Sequence, residues 1–207
     1  MKKIAILMVA MIAIIACKDE KKETTTNDQE PVITENYVVK PEATTVKWTA
    51  YKTTEKVGVG GTFTTLDFEP KSGATPEEAL NGLDFSIPIS SLFTNDETNT
   101  RDAKIKESFF GSMLDTEFLR GTIKYADSTC TVALTMNGVT QDLPLEVEIT
   151  EERRVNMTGV MDIKSWNALE ALEALNKVCF DLHKGRDGVS KTWEDVAIEV
   201  STYLRKN

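Results

Sequence analysis

The sequence predicts a mainly β fold, an antiparallel sheet closed into a barrel or a sandwich, and three observations carry that prediction. Apolar residues recur at every second position through most of the chain beyond residue 35. An Asn-Gly pair stands between two such runs, and the apolar parity reverses inside a glycine-rich run, as a bulge or sharp bend demands.

In chain order, Val46, Trp48 and Ala50 alternate with Lys47, Thr49 and Tyr51. Gly58, Gly60 and Gly61 lie in a run that continues through Phe63, Leu66 and Phe68, and the parity flips between Phe63 and Leu66. Bends of that kind let a meander curl shut. Leu83, Phe85, Ile87 and Ile89 alternate with Asp84, Ser86, Pro88 and Ser90, and Val132, Leu134 and Met136 with Thr131, Ala133 and Thr135. Leu143, Leu145, Val147 and Ile149 repeat the pattern, as do Val196, Ile198, Val200 and Thr202. Each run has one wet and one apolar face. Asn137-Gly138 is a type I′ hairpin signal, and residues 151–154 give a polar hairpin tip.

Two helices interrupt the strands. The first, over 99–110, opens on the cap residue Asn99, carries Asp102 in its first turn and turns Ile105, Phe109 and Phe110 to one face. The second, over 168–182, spaces Leu169, Leu172, Leu175, Val178 and Phe180 at helical intervals. A short helical turn fits 76–80. The total is about eight strands and two short helices, without an internal repeat.

Ahead of this domain stands an export signal. Lys2 and Lys3 are followed by an apolar run over 4–16, and Ile14-Ile15-Ala16-Cys17 has the form of a lipobox, so that 1–16 is a lipoprotein signal peptide and Cys17 the lipidated residue. A cysteine is required because its thiolate is the nucleophile that accepts a diacylglyceryl group. The apolar run is too short to span a bilayer, which takes about 20 residues. Lys18-Asp19-Glu20 resembles a surface-export signal of bacterial lipoproteins. It leaves the periplasmic and the surface-exposed face of the outer membrane both open. Residues 17–34 are a polar, acidic tether, and the folded domain occupies 35–207.

The chain has a net charge of −9, which becomes −11 without Lys2 and Lys3. Such a charge argues against nucleic acid and against a basic membrane-binding patch, leaving the N-terminal lipid as the anchor. Cys130 and Cys179 could form a disulfide in an oxidising compartment, but both lie in apolar contexts that suit buried free thiols.

Several blocks occur together in one order: Thr44-Thr45-Val46-Lys47-Trp48-Thr49-Ala50, Val57-Gly58-Val59-Gly60-Gly61-Thr62-Phe63, Asn99-Thr100-Arg101-Asp102 with Phe109-Phe110, Leu134-Thr135-Met136-Asn137-Gly138-Val139-Thr140, and Trp193-Glu194-Asp195-Val196-Ala197-Ile198. In this order, and preceded by Tyr37-Val38-Val39, they resemble the YceI-like family over nearly all of 36–204. The resemblance implies a lipocalin-like antiparallel β-barrel whose elongated apolar cavity holds a polyisoprenoid, an isoprenoid quinone or a similar amphiphilic lipid. It implies no catalysis, no metal and no other cofactor. Val46, Trp48, Phe63, Phe85, Ile87, Leu134, Met136, Leu145 and Val147 are then candidate cavity walls. By residue type alone they serve equally well to fill the interior. The helix-bearing stretch 166–183 departs from a simple strand connection and is expected to cap or narrow the cavity.

An enzymatic reading finds little to stand on. His183 is the single histidine, with Asp181 two residues before it, but no nucleophile elbow or zinc-ligand spacing accompanies them. His183 reads as a surface-loop residue. Arg101-Asp102 reads as an ion pair at a helix start, with Arg101 also a candidate contact for a lipid head group. Two classes of function stay open: a lipid-binding lipoprotein, and a surface structural or adhesive β-domain with a filled core.

Overall fold

The structure, a computed structural model, describes residues 36–98, 100–127 and 129–206. The signal peptide, Cys17, the tether and the expected cap Asn99 lie outside the described residues.

Thirteen strands and three α-helices alternate along the described chain: β1 (Tyr37–Val38), β2 (Thr44–Lys52), β3 (Val57–Phe63), β4 (Asp67–Phe68), β5 (Ser72–Gly73), α1 (Pro76–Leu80), β6 (Leu83–Pro88), β7 (Leu92–Phe93), α2 (Thr100–Lys104), β8 (Phe118–Ala126), β9 (Thr129–Met136), β10 (Val139–Thr150), β11 (Arg154–Asp162), α3 (Leu169–Val178), β12 (Thr192–Tyr203) and β13 (Arg205–Lys206). Ten strands form one antiparallel sheet in the order β4-β6-β8-β9-β10-β11-β12-β2-β3-β7.

The two edge strands of that order bring its ends together. Strand β4 continues β3, and β7 continues β6. Thr62 and Phe63 pair with Phe93 and Leu92, the Thr64 N–H donates to the Ser91 carbonyl at 2.9 Å, and Asp67 and Phe68 pair with Ser86 and Phe85. Residues 57–68 and 83–93 are therefore one antiparallel pair with a kink, and eight long strands make a ring. The kink is where the apolar parity reverses between Phe63 and Leu66. On the opposing run it is matched by a 3-10 turn, Ile89–Ser91, after Pro88.

The hairpin at Asn137-Gly138 is of type I′, with φ of 53° and 69°. Its Asn137 amide also donates to the Trp166 and Asn167 carbonyls at 3.0 Å, and its oxygen accepts from the Leu114 N–H at 2.8 Å. The hairpin thus ties down the loops around it.

The basal end of the ring, where β2 begins and β12 finishes, is plugged by a second sheet in which β1 pairs with both β13 and β5. Helix α1 lies against this sheet, capped by Thr75, whose hydroxyl accepts from the Glu78 N–H at 3.2 Å. A Cβ on Gly73 would stand 2.4 Å from the Ala79 nitrogen, so only glycine lets the helix come this close.

Both predicted helices are broken up. In place of one helix over 99–110, α2 passes into a π turn, Ile105–Phe109, and then a 3-10 turn, Phe110–Ser112. The Phe110 N–H donates to the Ile105 carbonyl. A π turn aligns residues five apart, which sets Ile105, Phe109 and Phe110 on one face where a regular helix would splay them. In place of 168–182, α3 ends at Val178 and a 3-10 turn, Phe180–His183, follows; Val178 and Phe180 are exposed rather than part of an apolar face.

Candidate functional site

The inward faces of the strands enclose a cavity of about 210 Å³. It is bounded at the basal end by Val39 and Leu80 and at the apical end by Ile105, Phe109, Leu172 and Leu175. Its walls include Val46, Trp48, Phe63, Phe85, Ile87, Leu134, Met136 and Leu145, eight of the nine residues expected there. Val147 is not among them. It lies beyond the end of β9, which pairs with β10 only as far as Leu145, and packs half-buried against the core opposite Met157. Alternation gives the correct face of the strand but not how far the neighbouring strand reaches.

The lining is apolar apart from Thr44, Thr192, Thr202 and two indoles. Thr44 and Thr202 hydrogen-bond each other at 2.8 Å, and the Trp193 N–H donates to the Thr53 carbonyl at 2.8 Å. Space survives because large side chains lie flat over glycines on the next strand. A Cβ on Gly61, which pairs with Trp48, would stand 2.3 Å from the indole ring; one on Gly121, which pairs with Phe85, would stand 2.7 Å from the phenyl ring. Gly159 gives Leu145 similar room. The rings therefore pave the wall instead of filling the centre.

A second cavity of about 470 Å³ lies at the apical end. Trp48, Ala50, Ile105, Leu175 and Thr192 line both cavities, so the two adjoin. This vestibule is bordered by Lys52, Asp96, Arg101, Lys104 and His183. The stretch expected to cap the barrel does so through Leu172 and Leu175, and the opening lies beside it.

The predicted Arg101–Asp102 pair does not form. Arg101 pairs with Asp96 at 3.5 Å, and Asp96 also accepts from the Thr100 and Arg101 N–H groups. Asp102 turns away to accept from the backbone N–H and the hydroxyl of Thr94, at 3.0 and 2.5 Å. The loop before α2 folds back to supply the capping carboxylate, a connection that neighbouring letters in the sequence do not reveal. Lys52 donates to the Leu182 carbonyl at 3.1 Å, and Lys104 has no ion pair among the described residues.

His183 is half-buried, not a surface-loop residue. Its Nδ1 lies 2.7 Å from the Thr192 hydroxyl, which itself donates to the Asn176 oxygen at 2.8 Å. The hydroxyl therefore accepts from Nδ1–H. Burial, reinforced by Lys52 and Lys104, holds the imidazole pKa down to about 4, so near neutral pH the ring is uncharged and Nε2 carries no proton. Asp181 is paired with Lys184 at 2.7 Å instead of orienting the ring. Among the described residues no cluster of three or more His, Cys, Asp or Glu side chains could hold a metal.

Two buried indoles differ sharply. The Trp166 N–H donates to the Leu134 carbonyl at 2.9 Å, whereas the Trp48 N–H, on a residue 9% exposed, has no acceptor among the described residues. An orphaned buried donor costs about 1–3 kcal/mol. Cys130 and Cys179 are both free and buried, which pushes both thiols up.

An apolar chamber inside a ring of eight strands, opening through a charged mouth, defines a small barrel built around a cavity. The chain matches the YceI-like domain family over residues 37–204 and belongs to it. A polyisoprenoid binding domain from Saccharophagus degradans, implicated in plant cell wall breakdown, is similar in structure with a TM-score of 0.61 at 12% identity, covering 83% of this chain and 98% of that one. BcnA of Burkholderia cenocepacia (TM-score 0.49, 14% identity, 80% of this chain and 98% of that one) and the YceI protein of Campylobacter jejuni (0.48, 17%, 73% and 86%) are further structural neighbours. At these identities the likeness concerns the fold. No curated protein matches the chain. Among the described residues no helix is long and apolar enough to cross a membrane.

Proposed function

We propose that this chain is a lipoprotein, anchored to the outer membrane through Cys17, whose barrel holds an isoprenoid or similar amphiphilic lipid for storage or transport. The observation that carries this reading is the apolar cavity of about 210 Å³, continued into a polar vestibule. A chain-like apolar tail gains about 0.8 kcal/mol for each CH₂ it buries, and the vestibule leaves a polar head wet. The S. degradans neighbour is described as a polyisoprenoid binding domain, which supports the same reading. Binding rather than catalysis fits the site, since His183 is kept neutral by burial and the nearby lysines, and its Nδ1 is tied to Thr192, whose hydroxyl is itself committed to Asn176. Arg101, which lines the vestibule, is the proposed contact for the head group.

Lipid extraction and mass spectrometry of the protein purified from its own membrane tests this. About one equivalent of a prenyl lipid, distinct from the acyl chains on Cys17, is expected. Copurification of no such lipid favours the alternative, a surface structural or adhesive domain. Cys17→Ser should release the protein from the membrane.

A further inference from the structure

The charge of the vestibule runs against that of the chain. The chain as a whole carries −9, yet among the described residues three cations, Lys52, Arg101 and Lys104, face the vestibule with Asp96 as the single carboxylate. Asp96 is already committed to Arg101 and to the two N–H groups at the start of α2, and Lys104 has no ion pair among the described residues. Both lysines line this vestibule together with His183 and Cys179. Trp48 lines both cavities, its buried N–H without an acceptor among the described residues.

We propose that the vestibule is built for a phosphorylated isoprenoid head: Lys52, Lys104 and Arg101 neutralise the phosphate, and the Trp48 N–H donates to a head-group oxygen where the tail enters the apolar cavity. The inference rests on the reading that the barrel holds an isoprenoid. A neutral alcohol or quinone head would satisfy Trp48 but leave the lysine charges unanswered, whereas a phosphate satisfies both. Charge-assisted hydrogen bonds of this kind are about twice as strong as neutral ones. His183, uncharged and hydrogen-bonded through Nδ1, adds no charge but offers the bare Nε2 as an acceptor to a protonated phosphate or a water.

The test uses the full chain, purified in detergent and stripped of lipid, titrated with a polyprenyl phosphate, the corresponding polyprenol and an isoprenoid quinone of equal tail length. The phosphate is expected to bind at least about tenfold more tightly than the other two, a difference that shrinks as salt is raised. Lys52→Ala combined with Lys104→Ala should bring the phosphate down to the level of the alcohol and leave the alcohol unchanged. Trp48→Phe should weaken all three. Equal binding of the three lipids overturns the proposal while the lipid-cavity reading stands. A phosphate preference that survives in the double variant overturns the role given to the lysines. Binding of none overturns the reading itself.

Discussion

The two ends of the barrel are closed by different means. At the basal end three short strands hydrogen-bond to one another under α1, and Leu80, Leu83, Val155 and Leu204 are at most 1% exposed. At the apical end a single helical turn and a half, a π turn and α3 cover the opening with half-buried Ile105, Phe109, Leu172 and Leu175, and charged side chains border an open space. One ring of strands thus carries a sealed foundation and a site. Full burial of a large aliphatic side chain gives about 1.5–3 kcal/mol, so stability concentrates where nothing has to open.

Leu80→Ala should break this contrast most severely, removing about 3 kcal/mol of stability, whereas Leu175→Ala over open space should cost only about 1 kcal/mol. Urea midpoints measure both, and equal losses would erase the distinction between the ends. The two indoles sharpen it next. Trp166→Phe should cost about 1 kcal/mol because it removes the indole hydrogen bond to the Leu134 carbonyl, while Trp48→Phe in the lipid-free protein should be neutral within about 0.5 kcal/mol or stabilising.

The smallest effect is that of pH on the apical end. His183 has a folded pKa near 4, below its ordinary 6.5, so the unfolded chain takes up a proton that the folded one refuses. Stability is therefore intact above pH 6.5 and falls as pH drops toward 4. Discounted for a ring that is only half-buried, the loss is about 1 kcal/mol. His183→Gln should reduce the stability difference between pH 7 and pH 4.5 by that amount. An identical difference in both proteins would place the histidine in solvent.

Much of the ring was legible because alternation is a local property. Leu83, Ile87, Leu134, Met136, Leu143 and Leu145 are buried as their spacing implies. Strand β8 was not, and its glycine explains why: Gly121 occupies an inward position between Leu119 and Ile123, where the apolar residue belongs to Phe85 on the next strand. A pattern shared between two strands leaves a gap in each. Strands β1, β5 and β13 are two residues long, too short for any period to register. The vestibule was legible only through Arg101 and the wall residue Trp48. Lys52, Lys104 and His183 come from β2, α2 and the turn after α3, and nothing in their sequence neighbourhoods says that they meet.

The seam between β2 and β12 has a consequence for how the protein is made. Thr44 meets Thr202 across 158 residues, so the strand that opens the ring waits for the one that completes it. Contacts this distant in sequence slow folding, because the intervening loop must be closed before they form. A chain cut before Thr192 could keep every helix and seven of the eight long strands, yet β2 and β11 would be bare edges and the molecule would enclose nothing. Its enclosed cavity arrives in one step, with the last long strand.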